Sequence, residues 1–210
     1  SISLLSAFAD QAALETIDLN DPVVFGGVIF GAMLPYLFGA FTMLSVKKAA
    51  GSIIDEVRRQ FKEIPGIMQR QNKPDHEKCV SLCTEASIHE MVLPGAYAIA
   101  SPLFIGFTVG PHCLAGMLAG SITSGAMLAI MMSNAGGAWD NSKKLCEKLQ
   151  IKKSDQGKAC VVGDTVGDPL KDTSGPALNI VMKLTAIVSL VFGSTIADWS
   201  NARGGPYWKP

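Results

Sequence analysis

Apolar residues are concentrated in four long stretches of the chain, which polar connections separate. The stretches cover residues 23–45, 91–109, 114–134 and 176–199. Each is close to or above the roughly 20 residues that a helix needs to cross a hydrocarbon core of about 30 Å. The pattern predicts an all-α fold, a polytopic bundle of transmembrane helices.

The composition agrees with a membrane protein. Of the 210 residues, 48% are hydrophobic and 17% are charged, whereas a soluble domain carries roughly a quarter charged residues. The net charge is zero, so no nucleic-acid partner is expected. The five cysteines are an odd number and predict free thiols, and Cys79 and Cys83 have no neighbouring pair to complete a zinc site.

The connections differ in charge in an alternating order. Residues 9–22 hold acidic side chains and no Lys or Arg, and the turn at 110–113 holds none either. Residues 46–90 are rich in Lys and Arg, and residues 140–165 are rich in Lys. Positively charged connections favour the cytosolic side. Four alternating spans place both basic connections there.

We expect one membrane domain over residues 1–210, with a short helical end before the first span. Residues 2–8 are apolar and follow no basic segment, which predicts the tail of an earlier transmembrane helix and a chain that is part of a longer protein. The small residues of the third span favour close helix contact. The predicted segments are an end of a preceding helix at 1–9, a span with a cytosolic extension at 23–63, a short cytosolic helix and span at 79–109, a span with a cytosolic end at 114–148, and a span at 163–199.

The segment 163–175, GDTVGDPLKDTSG, places charge directly before the last apolar stretch. In a helix, Asp164, Asp168 and Asp172 would share one face, with Lys171 on the same face. Divalent cations would offset the repulsion of three carboxylates, and a lysine among them would bind phosphate. Alternatively, Asp168 is only a helix N-cap followed by Pro169 at the first helical position.

A second group of charges closes the third span in the segment 136–144, GGAWDNSKK. Asp140 and Lys143 are one turn apart and could present a carboxylate and an ammonium to the same ligand. A solvated helix end with Trp139 at the membrane interface would produce the same pattern. The loop charges predict that this group and residues 164–172 lie on the same cytosolic side.

Lys183 lies deep in the last apolar stretch, about 16 Å along a helix from Asp172. An ionisable residue inside a membrane span is a candidate for ion movement. A snorkelling or ion-paired structural lysine is the alternative. The chain has no phosphate-binding loop of the G-x-x-x-x-G-K-[ST] type, and its histidines have no plausible nucleophile partner.

Four segments closely resemble the membrane-bound, ion-translocating (H+ or Na+) inorganic pyrophosphatases. They are GAMLPY at 31–36, EVRRQF at 56–61, GGAWDN at 136–141 and GDTVGDPLKDTSGP at 163–176. The similarity extends over essentially the whole chain. It implies the C-terminal portion of the family's fold, the last four helices of sixteen plus the end of a preceding helix.

The resemblance also implies an activity and a set of site residues. The activity is hydrolysis of Mg2+-pyrophosphate coupled to H+ or Na+ translocation, with K+ as a further cofactor in one branch. No covalent enzyme intermediate is implied. The implied roles are metal ligands for Asp140, Asp164 and Asp168, pyrophosphate-holding lysines for Lys143 and Lys171, a water-orienting base for Asp172, and an ion gate for Lys183.

The same resemblance implies a lipid bilayer and a second copy of the chain, in a homodimer, as partners. The implied membrane is that of a vacuolar or acidocalcisome-type acidic compartment in a eukaryote and the plasma membrane in a prokaryote. The family's remaining acidic motifs lie on earlier helices, so we expect this chain alone to be inactive. The alternatives are a cation transporter or channel fragment without hydrolysis, and a non-catalytic packing module.

Overall fold

The computed structural model is all-helical over the residues that it describes, 1–69 and 71–204. Arg70, one of the basic residues of the connection 46–90, lies outside them. The helices are α1 (Ile2–Gln11), α2 (Pro22–Glu63), α3 (His76–Thr108), α4 (Pro111–Lys148), α5 (Asp155–Asp168) and α6 (Gly175–Ala202), with a π-helical segment, Pro169–Ser174, between α5 and α6.

Four helical stretches are long and apolar enough to cross a membrane: α2, α3, α4, and the continuous run Asp155–Ala202. The prediction of an all-α fold with four helices able to span a membrane is therefore confirmed over the described residues. Many large apolar side chains on these helices are exposed, among them Ile29, Ile130 and Val191. An apolar outer surface of this kind is typical of helices that face lipid or further helices.

The chain divides into two compact units. The larger unit comprises residues 1–39 and 96–204, and α4 is its central helix. Leu114, Met117 and Leu118 of α4 are fully buried, as is Phe8 of α1. These residues form one apolar core with parts of α2, α3 and α6.

Glycines let α2 and α4 approach each other closely within the larger unit. A Cβ on Gly27 would lie 2.1 Å from the Cys113 carbonyl oxygen, and one on Gly120 would lie 2.1 Å from that of Val28. The Ser124 hydroxyl donates a hydrogen bond to the Ala32 carbonyl, 2.9 Å away. The close helix contact predicted from the small residues of the third span is confirmed.

The smaller unit, Ala40–Gly95, contains the end of α2, the connection, and the start of α3. Gln60 holds the connection through two hydrogen bonds to the Asp75 backbone, at 2.9 and 3.0 Å. The Glu56 carboxylate, which is buried, accepts hydrogen bonds from Arg59 and Gln60. Within the EVRRQF segment, Gln60 thus fixes the connection between α2 and α3, and Glu56 holds the Gln60 amide in place.

Candidate active site

Glycines allow α4 and α5 to lie almost in backbone contact. A Cβ on Gly136 of α4 would lie 2.4 Å from the Gly167 carbonyl oxygen and 2.6 Å from Cβ of Lys171. A Cβ on Gly163 would lie 2.2 Å from the Trp139 indole ring. Real side chains essentially never approach this closely, so these positions need glycine. The close approach brings the charged residues of the two segments within reach of each other.

Lys143 of α4 and Asp164 of α5 form the inner ion pair of the site. The Lys143 ammonium donates a 2.6 Å hydrogen bond to Asp164 Oδ2. The Asp164 side chain is 5% exposed, whereas that of Lys143 is 33% exposed. A charge-assisted bond to a buried carboxylate holds the lysine in one position.

Asp140 joins two lysines at the outer edge of the site. Its Oδ2 accepts hydrogen bonds from Lys144 and from Lys171, each at 2.9 Å. Lys144 is on the same helix, and Lys171 belongs to the π-helical segment. The sequence motif alone assigns no role to Lys144. Its i, i+4 spacing to Asp140 is the signal that could have found this contact.

The three aspartates of the acidic segment have graded exposure. Asp164 is buried, Asp168 is half-buried and Asp172 is exposed. Asp168 lies close enough to the ammonium groups of both Lys143 and Lys171 to attract them electrostatically. The Asp172 carboxylate is 3.8 Å from the Lys171 ammonium. The structure thus gives each carboxylate a different combination of solvent and cation contact.

The helix does not begin at Asp168. It begins at Asp155, where the Ser154 hydroxyl accepts a hydrogen bond from the Gly157 amide. Asp168 has helical backbone angles and makes no side-chain cap bond. The alternative in which Asp168 serves only as a helix N-cap is therefore wrong. Instead, the Gly175 amide donates to the Leu170 carbonyl, five residues earlier, as in a π-helix, a feature often found at functional sites.

The carboxylates fit a hard divalent cation such as the Mg2+ that the resemblance implies. Asp164 Oδ1 is buried and has no hydrogen-bond partner among the described residues. In the same part of the chain, no three His, Cys, Asp or Glu side chains are grouped closely enough to hold a metal by themselves. Mg2+ usually takes only one or two carboxylates and completes its shell with water and phosphate oxygens. Asp140, Asp164 and Asp168 would be the residues to hold such ions, with one or two of these carboxylates on each ion.

The site is charged but nearly balanced. Asp140, Asp164, Asp168 and Asp172 supply four carboxylates, and Lys143, Lys144 and Lys171 supply three ammonium groups. Two of the ion pairs, Lys143–Asp164 and Lys171–Asp140, neutralise charge across the helix contact. An anion and metal cations that enter together could exchange with these pairs without leaving an uncompensated charge.

Lys183 is separate from this cluster. It lies on α6 beyond the π-helical segment, and its side chain is exposed in the unit. Within the described residues no carboxylate forms an ion pair with it. His76 and His89 belong to the part of α3 in the smaller unit, and His112 is at the start of α4.

Residues 1–192 match the family model described as inorganic H+ pyrophosphatase. A protein of Clostridium tetani, provisionally named a K(+)-stimulated pyrophosphate-energized sodium pump, is 53% identical over 203 residues. A protein of Methanosarcina mazei, named a K(+)-insensitive pyrophosphate-energized proton pump, is 48% identical over 200 residues.

These alignments cover most of this chain but a minor part of each relative. They include 96% of the chain for the Clostridium protein and 93% for the Methanosarcina protein. In both cases they include 30% of the relative's own length. The chain thus spans about 30% of the length of the curated relatives that it matches.

Proposed function

Since this chain belongs to the inorganic H+ pyrophosphatase family of membrane proteins, we propose that it forms one side of the hydrolytic centre of an ion-pumping pyrophosphatase. The substrate is Mg2+-pyrophosphate, and the coupled ion is H+ or Na+. The relatives are named for pyrophosphate-energized pumping of one ion or the other. The observation that carries the proposal is the lysine–carboxylate network between α4 and the segment 164–172.

In this proposal the lysines exchange partners when substrate binds. Lys143 and Lys171 leave Asp164 and Asp140 and hold pyrophosphate oxygens. Asp140, Asp164 and Asp168 would hold Mg2+, which when bound would supply positive charge against the phosphate oxygens and the leaving group. Each lysine would exchange a carboxylate for a phosphate oxygen, and each carboxylate would exchange a lysine for Mg2+. The exchange therefore needs no large change in the net charge of the site.

Asp172 is proposed to orient and deprotonate the attacking water. Its side chain is 63% exposed and so can contact water that the other carboxylates, being more buried, cannot reach as freely. Water then attacks phosphorus in line with the leaving phosphate, without a covalent enzyme intermediate. Lys171, which is adjacent, holds the phosphate oxygens in position for that attack.

Replacing Lys171, which links the π-helical segment to Asp140 of α4, tests this function. In a full-length pump that carries these residues, Lys171→Met should lower phosphate release from Mg2+-pyrophosphate by about 100-fold or more, as for loss of a group that stabilises a transition state. Lys158→Met is the matched control, because Lys158 pairs only with the exposed Asp155 at 3.3 Å. Equal rates for the two variants would contradict the proposed role of Lys171.

The proposal extends to the membrane. The charged ends of α4 and α5 face the cytosol, as the basic connections predict, and Lys183 belongs to the ion gate below the hydrolytic centre. The pump is a homodimer in an acidic-compartment membrane or a plasma membrane. K+ acts as a cofactor if the chain follows its K+-stimulated relative.

A further inference from the structure

Two cysteines meet where α5 turns back along α4. Cys146 Sγ and Cys160 Sγ are 3.6 Å apart, in residues that are fourteen positions apart in the chain. Both thiols are free; Cys146 is buried and Cys160 is half-buried. Their spacing in the sequence does not predict this contact, because only the turn between the helices brings the two thiols together.

The turn that aligns these thiols is fixed by backbone contacts. The Ile151 amide donates to the Cys146 carbonyl at 3.0 Å, and the Ser154 hydroxyl accepts from the Gly157 amide at 3.2 Å. A Cβ on Gly157 would lie 2.4 Å from the Ile151 carbonyl oxygen. The start of α5 is therefore held directly against the turn, with Cys160 facing α4.

An ion pair fixes the other side of the thiol pair. Cys146 is three residues after Lys143, and Cys160 is four residues before Asp164. The 2.6 Å pair between Lys143 and Asp164 thus lies about one helical turn away. With the helices held on both sides, the sulfur atoms have only a short distance to close before they reach bonding distance, about 2.05 Å.

We propose that Cys146 and Cys160 are a redox-modification site that forms a reversible disulfide across α4 and α5. The oxidant is a low-molecular-weight disulfide of the glutathione class. The site lies at the end predicted to face the cytosol, where disulfides that form are usually transient and redox-sensing. The bond would fix the spacing of the two helices next to the Lys143–Asp164 pair.

The reaction proceeds by two thiol–disulfide exchanges. The Cys160 thiolate, which is the more accessible, attacks one sulfur of the reagent, and the other sulfur leaves as a thiolate that takes up a proton. The Cys146 thiolate then attacks the Cys160 sulfur of the mixed disulfide and displaces the second reagent thiolate, which also takes up a proton. Two protein thiols lose two electrons and two protons, and the reagent is reduced to two thiols.

The test uses the 210-residue chain in detergent, treated with oxidised glutathione, blocked with a maleimide and analysed by peptide mass spectrometry. We expect a peptide pair joined through Cys146 and Cys160, which dithiothreitol separates. Cys146→Ser should trap a single glutathione on Cys160, whereas Cys160→Ser should leave Cys146 as a thiol because it is buried. Replacing both Cys79 and Cys83 by Ser, as a matched control, should not change the joined pair.

A second measurement follows the effect of the disulfide on the thermal stability of the chain. A cross-link that closes a short loop restrains the unfolded chain, so oxidation should raise the midpoint of thermal unfolding of the unsubstituted chain and leave that of Cys160→Ser unchanged. The proposal is overturned if Cys146 and Cys160 remain unlinked thiols, if each carries its own glutathione, or if the midpoint does not respond to oxidation.

Discussion

Single side chains of the candidate site differ in exposure although they are close in sequence. The acidic segment spaces three aspartates evenly, yet Asp164 is buried and Asp172 is exposed. Asp164 faces α4 and pairs with Lys143 at 2.6 Å. These different surroundings are a physical basis for different roles: a buried carboxylate can bind a metal, whereas an exposed one can reach water.

The position and exposure of Lys183 lead to a prediction that separates ion transport from hydrolysis. It is exposed on α6 and has no carboxylate in an ion pair with it in the part of the chain that the structure describes. Lys183→Met in a full-length pump should retain phosphate release within a few-fold but lose ion transport, because the residue lies outside the lysine–carboxylate cluster that is proposed for hydrolysis.

The measurement uses sealed vesicles, with phosphate release, H+ uptake and Na+ uptake followed together. Lys152→Met is a suitable control, because Lys152 pairs with Glu147 on the predicted cytosolic side. Transport that stays proportional to hydrolysis in Lys183→Met would exclude the gate role.

At the scale of elements, the contact between α4 and α5 depends on glycines, which have no side chain to hold the helices apart. Gly136→Ala should push the two helices apart, since the new Cβ would lie 2.4 Å from the Gly167 carbonyl oxygen. Overpacking of this kind costs about 1–3 kcal/mol. Gly137→Ala is a control in the next position, where a Cβ would meet nothing within 4 Å.

Thermal unfolding of the two variants in detergent checks this prediction. Gly136→Ala should unfold at a lower temperature than the unsubstituted chain. Gly137→Ala should match it or exceed it, because Ala in a helix is about 0.5–1 kcal/mol more favourable than Gly. If both variants unfolded alike, the α4–α5 contact would not have the tight packing described.

The hydrophobic pattern predicted the elements better than it predicted the contacts between them. The four apolar stretches identified the four spans, because length and composition are local properties. The pattern divided residues 79–109 into a short helix and a span, but α3 is continuous from His76 to Thr108. It also could not show the π-helical segment, since i→i+5 bonding depends on how α5 and α6 pack.

The residue types of the candidate site could be predicted from the sequence, but not which lysine forms an ion pair with which aspartate. Spacing placed Asp164 and Lys171 on one face, and both do contact α4. Lys143 pairs with Asp164, and Asp140 pairs with Lys171, because Gly136 and Gly163 let the helices approach closely. This approach is a tertiary contact that residue spacing does not predict. The Cys146–Cys160 contact was missed for the same reason.

At the scale of the whole molecule, the described residues are all-helical and the chain belongs to the inorganic H+ pyrophosphatase family. The predicted resemblance to the membrane-bound pyrophosphatases is confirmed by the family match over residues 1–192. The relatives are more than three times as long as the stretch that they share with this chain. We therefore expect the remaining helices of a full-length pump to supply the other side of the site.

The isolated chain should then release no phosphate from Mg2+-pyrophosphate in detergent, although it is folded. Circular dichroism would establish the helical fold, and a phosphate assay at saturating Mg2+ would measure turnover. A full-length pump under the same conditions is the positive control. Turnover by the isolated chain, abolished by Asp172→Asn, would show that these residues form a complete site.

The measurement that tests the central claim most directly is phosphate release by a full-length pump that carries Asp172→Asn. The matched control is Asp155→Asn, because Asp155 is a 98% exposed carboxylate on α5. The account predicts that Asp172→Asn stays folded and loses about 100-fold or more of the rate, while Asp155→Asn keeps it. Normal hydrolysis by Asp172→Asn would contradict the assignment of the base, and no hydrolysis by the unsubstituted pump would favour a cation channel or transporter instead.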